Sequence, residues 1–243
     1  MSRSIKFPAL LLLIAPCLSE TAVAVVVRSF EFNVPGVLPS SEPDISFFNN
    51  GGAPETTLYS VSGGLLKQRT FGLTGNFSYL YPNFLENGDF DPSQSLVMET
   101  RLRVHRIAGT SPGQAYFQVF DSLFQFGLYF AENALLVPTS TGFFSYGLDL
   151  TVMRTYRLES PGNSSTARIY VDGRLVGTVT APNARINHFG FGDGLTPGGG
   201  ADVDWDYIRI NTATAVPEPS TFAAAGLGLV AAVATARRRR RAV

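Results

Sequence analysis

The chain has 243 residues, of which 19 are Lys or Arg and 19 Asp or Glu, with 24 Gly, 15 Pro and one Cys. That length suits one well-filled domain plus short appendages, and one cysteine excludes a disulfide framework or a cysteine-built zinc site. The zero formal charge hides an imbalance, because the stretch from Val25 to Ser220 holds twelve basic and eighteen acidic residues; an acidic body of this kind argues against nucleic acid, which requires a clustered basic surface.

From the N-terminus, Arg3 and Lys6 precede an unbroken apolar run, Leu10 to Ala15, and then Ala22-Val23-Ala24. A positive start, a compact apolar core and a small-x-small end predict a helical export signal over residues 1–24, with Val25 as the first mature residue. Consecutive apolar residues, in place of a three-to-four spacing, argue against an amphipathic helix of the fold. Cys17 leaves with the signal, so the exported chain has no thiol nucleophile.

Between Val25 and Ser95 the chain is rich in Gly, Pro, Asn and Ser, as in Asn49-Asn50-Gly51-Gly52 and Ser62-Gly63-Gly64. First strands separated by long loops are expected there, with Ser29 to Val34 as the N-terminal strand. The clearest strand is Leu96 to Val104: Leu96, Met98, Thr100, Leu102 and Val104 point one way, Val97, Glu99, Arg101 and Arg103 the other. Further strands are predicted at 115–120, 125–130, 134–137, 156–159, 167–171, 175–180, 186–191 and 203–210, and no segment shows a sustained helical period. Asp172-Gly173 joins two of them as a two-residue hairpin turn, since both residues tolerate positive φ.

The C-terminus reads as an address. Val216-Pro217-Glu218-Pro219 is followed by an uncharged run, Phe222 to Ala236, and by Arg237, Arg238, Arg239, Arg240 and Arg241. As a helix that run is about 22 Å long at 1.5 Å per residue, short of the roughly 30 Å hydrocarbon core, and Ala and Gly dominate it. A temporary membrane stop is expected, with the arginines held on the cytoplasmic side. Motif, apolar helix and basic end over residues 216–243 resemble the PEP-CTERM protein-sorting signal of exopolysaccharide-producing Gram-negative bacteria. The resemblance implies passage through the export machinery, transient membrane insertion, processing by an exosortase-type enzyme near Val216–Pro219, and delivery to the cell surface or extracellular matrix.

A second resemblance lies in the body. Ala167-Arg168-Ile169-Tyr170-Val171-Asp172-Gly173-Arg174-Leu175-Val176-Gly177 looks like the hairpin of laminin G-like and concanavalin A-like jelly rolls, and Asp204-Trp205-Asp206-Tyr207-Ile208-Arg209-Ile210 is similar to their closing strand. It implies that residues 25–212 form one all-β jelly-roll β-sandwich. It also implies a structural calcium near the closing strand, where Asp206 takes the place of the family's aspartate. The residues alone say only that Asp206, at the rim of a core, needs a backbone N–H, an arginine or a calcium ion as partner; calcium takes six to eight oxygens, and a hydrogen-bonded edge carboxylate is the simpler alternative.

Chemistry is sparse. Some jelly rolls of this kind are glycoside hydrolases, which place two carboxylates about 5–9 Å apart across the scissile bond, but the Glu-x-Asp-x-x-Glu motif of the most similar branch is missing. Glu86, Asp89 and Asp91 fall in a loop-like stretch, His105 and His188 lie in no triad or metal spacing, and no Gly-x-Ser-x-Gly elbow occurs. Most phenylalanines, Phe120 and Phe143 among them, are expected in the core, while Trp205 and Tyr207, sharing a face with Val203 and Arg209, are the candidate sugar-stacking residues. The expectation is an exported, non-catalytic surface or matrix protein that contacts exopolysaccharide; the alternative is a divergent polysaccharide-active hydrolase or lyase.

Overall fold

Period-two alternation in the body of the chain becomes strands whose apolar halves face one another across a single core. The computed structural model describes residues 25–82, 91–108, 112–196 and 199–213. The export signal, the sorting motif Val216 to Pro219, the arginines Arg237 to Arg241, and Glu86 and Asp89 lie outside the described residues.

The strands are β1 (Val25–Phe30), β2 (Ser46–Asn49), β3 (Tyr59–Ser62), β4 (Leu65–Arg69), β5 (Gly75–Pro82), β6 (Ser95–Ile107), β7 (Ala115–Asp121) and β8 (Gln125–Ala131). They continue as β9 (Ala134–Thr139), β10 (Gly142–Gly147), β11 (Arg154–Ser160), β12 (Thr166–Val171), β13 (Arg174–Thr180), β14 (Asn187–Thr196) and β15 (Ala201–Ala213). One helical turn, α1 (Glu55–Leu58), leads into β3. Sheet I has the order β13-β12-β11-β6-β15-β4-β3, and sheet II the order β10-β9-β8-β7-β14-β5-β2. All pairings are antiparallel. This is the jelly-roll β-sandwich expected of the chain.

Leu96, Met98, Thr100, Leu102 and Val104 are buried, as their alternation predicts. Asp172 and Gly173 adopt φ of 50° and 77° between β12 and β13, which fits the tight hairpin. The N-terminal strand does pair with β15, but it spans Val25–Phe30 and not Ser29 to Val34. Three consecutive valines favour extended backbone there, and Phe32 at φ 46° ends it.

The closing strand β15 is long enough to carry β6 along one edge and, on the other, β4 against Asp202–Trp205 and then β1 against Ile208–Thr212. Its pairing with β6 slips between Trp205 and Tyr207, so Asp206 is an extra residue opposite no partner. Such a bulge switches the faces of the residues beyond it. Val203 and Trp205 therefore face the core before the bulge, and Ile208 and Ile210 after it, each fully buried.

Candidate functional site

The bulge corrects the placement of the proposed stacking pair. Trp205 and Tyr207 do not share a face. Trp205 is 0% exposed, with its indole N–H 3.3 Å from Gln68 Oε1 and its ring edge-on to Phe130 and Phe191, so it cannot stack on a sugar. Tyr207 lies on the outer face of sheet I, where its hydroxyl donates to Glu99 at 2.9 Å. The Arg209 guanidinium stands 4.0 Å above its ring.

The outer face of sheet I is charged and laced with ion pairs. Arg69 reaches Asp204 Oδ1 at 2.8 Å, and Arg103 (3.1 and 2.9 Å) and His105 (2.8 Å) converge on Oδ2. Arg103 and His105 share this side by strand alternation, and a slip in β6 at His105 brings Arg106 to it as well. Burial pushes the Asp204 carboxyl up, but hydrogen bonds from Arg69, His105 and Arg103 outweigh it and hold the pKa at about 2. Arg106 pairs with Asp202 and covers the Phe71 ring at 4.4 Å; Arg209 grips Glu31 at 2.7 and 2.9 Å. Asp206 is met by Arg101 at 2.7 Å. A guanidinium that close is the wrong neighbour for a divalent cation, so the surroundings of Asp206 do not fit calcium, and among the described residues no three His, Cys, Asp or Glu side chains gather at one point. A cleft of about 350 Å³ opens nearby between Phe71, Arg106, Glu132 and Thr151, and its His105 and Arg106 are the residues already engaged by Asp204 and Asp202.

Sheet II presents the opposite chemistry. Its outward residues are Tyr116, Gln118 and Phe120 on β7, Gln125, Gly127 and Tyr129 on β8, and His188 and Gly190 on β14, flanked by Ser78 and Leu80 on β5, Leu136 on β9 and Phe143 on β10. None carries a formal charge at neutral pH when its histidine is neutral, and burial lowers the His188 pKa towards that state. The Tyr116 and Tyr129 rings stack at 5.9 Å, Phe143 meets Tyr129 edge-on at 6.1 Å, and Phe120 lies 4.6 Å from the His188 ring. Gln125 donates to the Tyr129 hydroxyl at 2.9 Å, and that hydroxyl donates to Gln118 Oε1. The amides thus fix the tyrosine, and the tyrosine orients the amides.

Phe120 and Phe143 are therefore not core residues. Phe143 is 50% exposed at the sheet edge, and Phe120 alternates out of phase with buried Phe117 and Val119. The signal was the alternation within β7: Tyr116, Gln118 and Phe120 fall on one side, where Ala115, Phe117 and Val119 take the other. Gly127 and Gly190 lower the floor between the rings, since a methyl at Gly190 would lie 2.7 Å from Leu80 and 3.3 Å from the Tyr116 hydroxyl. At the end of β7, Asp121 points inward to accept from the Leu123 and Phe124 N–H groups at 2.9 and 2.6 Å. Rings, amides and hydroxyls without charge can cover C–H groups with aromatic faces and pair amides with hydroxyls.

Comparison with known proteins supports both resemblances. Residues 215–241 match the model of the PEP-CTERM protein-sorting motif, which marks the chain for export and membrane-associated processing by exosortase-type machinery. Similar solved folds include a laminarinase from Flavobacterium sp. UMI-01 (TM-score 0.52, 14% identity, 76% of this chain and 99% of that one). An endo-β-1,3-glucanase from Pyrococcus furiosus is alike (TM-score 0.52, 14% identity, 79% and 95%), as is a glycosyl hydrolase family protein from Mycobacterium fortuitum (TM-score 0.51, 16% identity, 76% and 99%). At these identities the likeness is one of fold. No curated protein matches the chain significantly.

Proposed function

We propose that the exported domain is a non-catalytic glycan-binding module of the cell surface or extracellular matrix, and that it holds exopolysaccharide on the outer face of sheet II. The observation that carries the reading is the contrast between the two outer faces. Most charges of sheet I are engaged in ion pairs with one another, whereas sheet II offers Tyr129, Phe143 and Phe120 with Gln118, Gln125 and His188, and among its described outward residues no ion pairs to break. Similar folds named as a laminarinase and an endo-β-1,3-glucanase add support by analogy of fold alone.

The same face supports retention of the glycan without cleavage. Hydrolysis needs an acid and a second carboxylate flanking the bond. At the alternating outward positions of β7 this chain has a ring, an amide and a ring, and among the described outward residues of β5, β8 and β14 there is no Asp or Glu. The expected result is that the producer's own polysaccharide, cast in a native gel, retards the protein while no new reducing ends appear on prolonged incubation. Release of reducing ends would replace this reading with that of a divergent hydrolase, and unretarded migration would remove the glycan altogether.

A further inference from the structure

One buried acid belongs to neither face. Asp193, on β14, is 1% exposed, and neither of its carboxyl oxygens has a hydrogen-bond partner. The neighbouring donor is the Thr70 hydroxyl, which favours the charged form, but its single proton is directed at the Ala201 carbonyl 3.0 Å away. Other ionisable groups facing the site are Tyr59 of β3 and Tyr116 of β7, with Glu55 of α1 beyond Tyr59. Burial raises both tyrosines far above neutrality, Tyr116 to about 12, so neither titrates in the ordinary range. No cation from the described part of the chain stands against this carboxyl, in contrast to Asp204.

The backbone around Asp193 leaves no slack. Gly192 has φ +119°, and a methyl there would lie 2.7 Å from the Tyr59 hydroxyl; one at Gly194 would lie 2.8 Å from the Gly113 carbonyl. Gly194 N–H donates to that same carbonyl. The corner is thus pressed directly onto β3 and β7, with the acid sealed beneath it. From there a chain of contacts runs to the indole: Thr70 Oγ1 accepts from Gln68 Nε2 at 3.1 Å, and Gln68 Oε1 accepts from Trp205 at 3.3 Å.

A charge in that position has no compensation, and a protein answers such a cost by keeping the proton. We propose that Asp193 is a proton-operated latch: neutral, it lies closed under the Gly192–Gly194 corner, and ionised, it draws water into the corner and loosens the Thr70–Gln68–Trp205 chain. The latch does not depend on the glycan-binding reading.

The pKa is raised from 3.8 to about 7, chiefly by burial. Between these values the folded state keeps a proton that the unfolded state has lost, so the domain loses stability as pH rises through that window, and the loss is constant above it. An uncharged amide in place of the carboxyl would not take part, so Asp193→Asn should gain stability relative to the natural protein as pH rises from about 4 to about 7.

Trp205 is the sole tryptophan of the chain, which allows a direct test on the full-length protein. Its fluorescence should show one transition with a midpoint near 7, lost in Asp193→Asn and retained in His105→Gln and His188→Gln. Should Asp193→Asn fail to fold, the infrared band of a protonated, buried carboxyl in the natural protein serves instead, and it should vanish over the same range. A flat titration, a transition that survives Asp193→Asn, or a band absent at acid pH would overturn the latch. So would a calcium-induced rise in Tm that requires Asp193, which would make the ligand a cation.

Discussion

Trp205→Ala is expected to destabilise the domain by about 3–5 kcal/mol, the range for removing a large aromatic side chain from a packed core. The indole is fully buried between the two sheets, against Phe130 of β8 and Phe191 of β14. Its removal opens a cavity where β15 crosses the middle of the core, and it leaves Gln68 Oε1 without its donor, adding the cost of an unsatisfied buried acceptor. Small domains are stable by only about 5–15 kcal/mol, so the Tm should fall on the order of 10 °C. Tyr207→Ala, two residues along, should cost far less, because the bulge at Asp206 has carried Tyr207 out of the core. Thermal denaturation of the two variants side by side checks the bulge itself: equal losses would mean that the strand alternates without interruption.

Asp204→Asn is expected to cost roughly 2 kcal/mol at neutral pH, after allowance for the partial exposure of its arginine partners. The carboxylate is 2% exposed and serves Arg69, Arg103 and His105 together. Replacing it by an amide leaves Arg69 and Arg103 facing one another across β15, so the loss includes their repulsion. The pH dependence has a definite sign. With a folded pKa near 2 against 3.8 unfolded, the stabilisation is complete above about pH 4 and disappears as pH falls through about 2. Denaturant titrations of the natural protein and Asp204→Asn should therefore converge in acid and separate towards neutrality. A constant difference across that range would show that the aspartate acts through packing and not through its charge.

Local pattern made most of the sandwich legible. The alternation in β6 and the Asp172-Gly173 turn are properties of neighbours in sequence, and they were readable for that reason. β10 was not, because an edge strand with both sides partly in solvent carries little alternation: Phe143 and Phe144 are adjacent, one outside and one packed on the core. The face of Trp205 was illegible for a different cause. Whether β15 runs straight or bulges is decided by its register against β6, a hundred residues earlier, and one extra residue inverts every face assignment beyond it.

The candidate site shows the same division. Asp206 could be read as a carboxylate in need of a partner, but choosing Arg101 over a cation required knowing which strand lies beside it. The uncharged face of sheet II is assembled from strands whose order in space, β9-β8-β7-β14-β5, brings His188 against Phe120 and Gly190 against Leu80. No single segment displays it. Each strand shows only that its outward half is neutral and partly aromatic, and the tail shows only that the domain is destined for export.

The most direct test of the glycan-binding face compares Tyr129→Ala and Gln118→Ala with Arg101→Ala, measuring affinity for the producer's polysaccharide by retardation in polysaccharide-containing native gels. Tyr129 and Gln118 lie on sheet II and hold each other in place, while Arg101 lies on sheet I in an exposed pair whose loss should cost little stability. The two sheet II variants should bind at least about ten-fold more weakly, equivalent to about 1.4 kcal/mol, with Arg101→Ala unchanged and all three folded. Binding that survives in Tyr129→Ala and Gln118→Ala but falls in Arg101→Ala would place the glycan on the charged face and contradict the account.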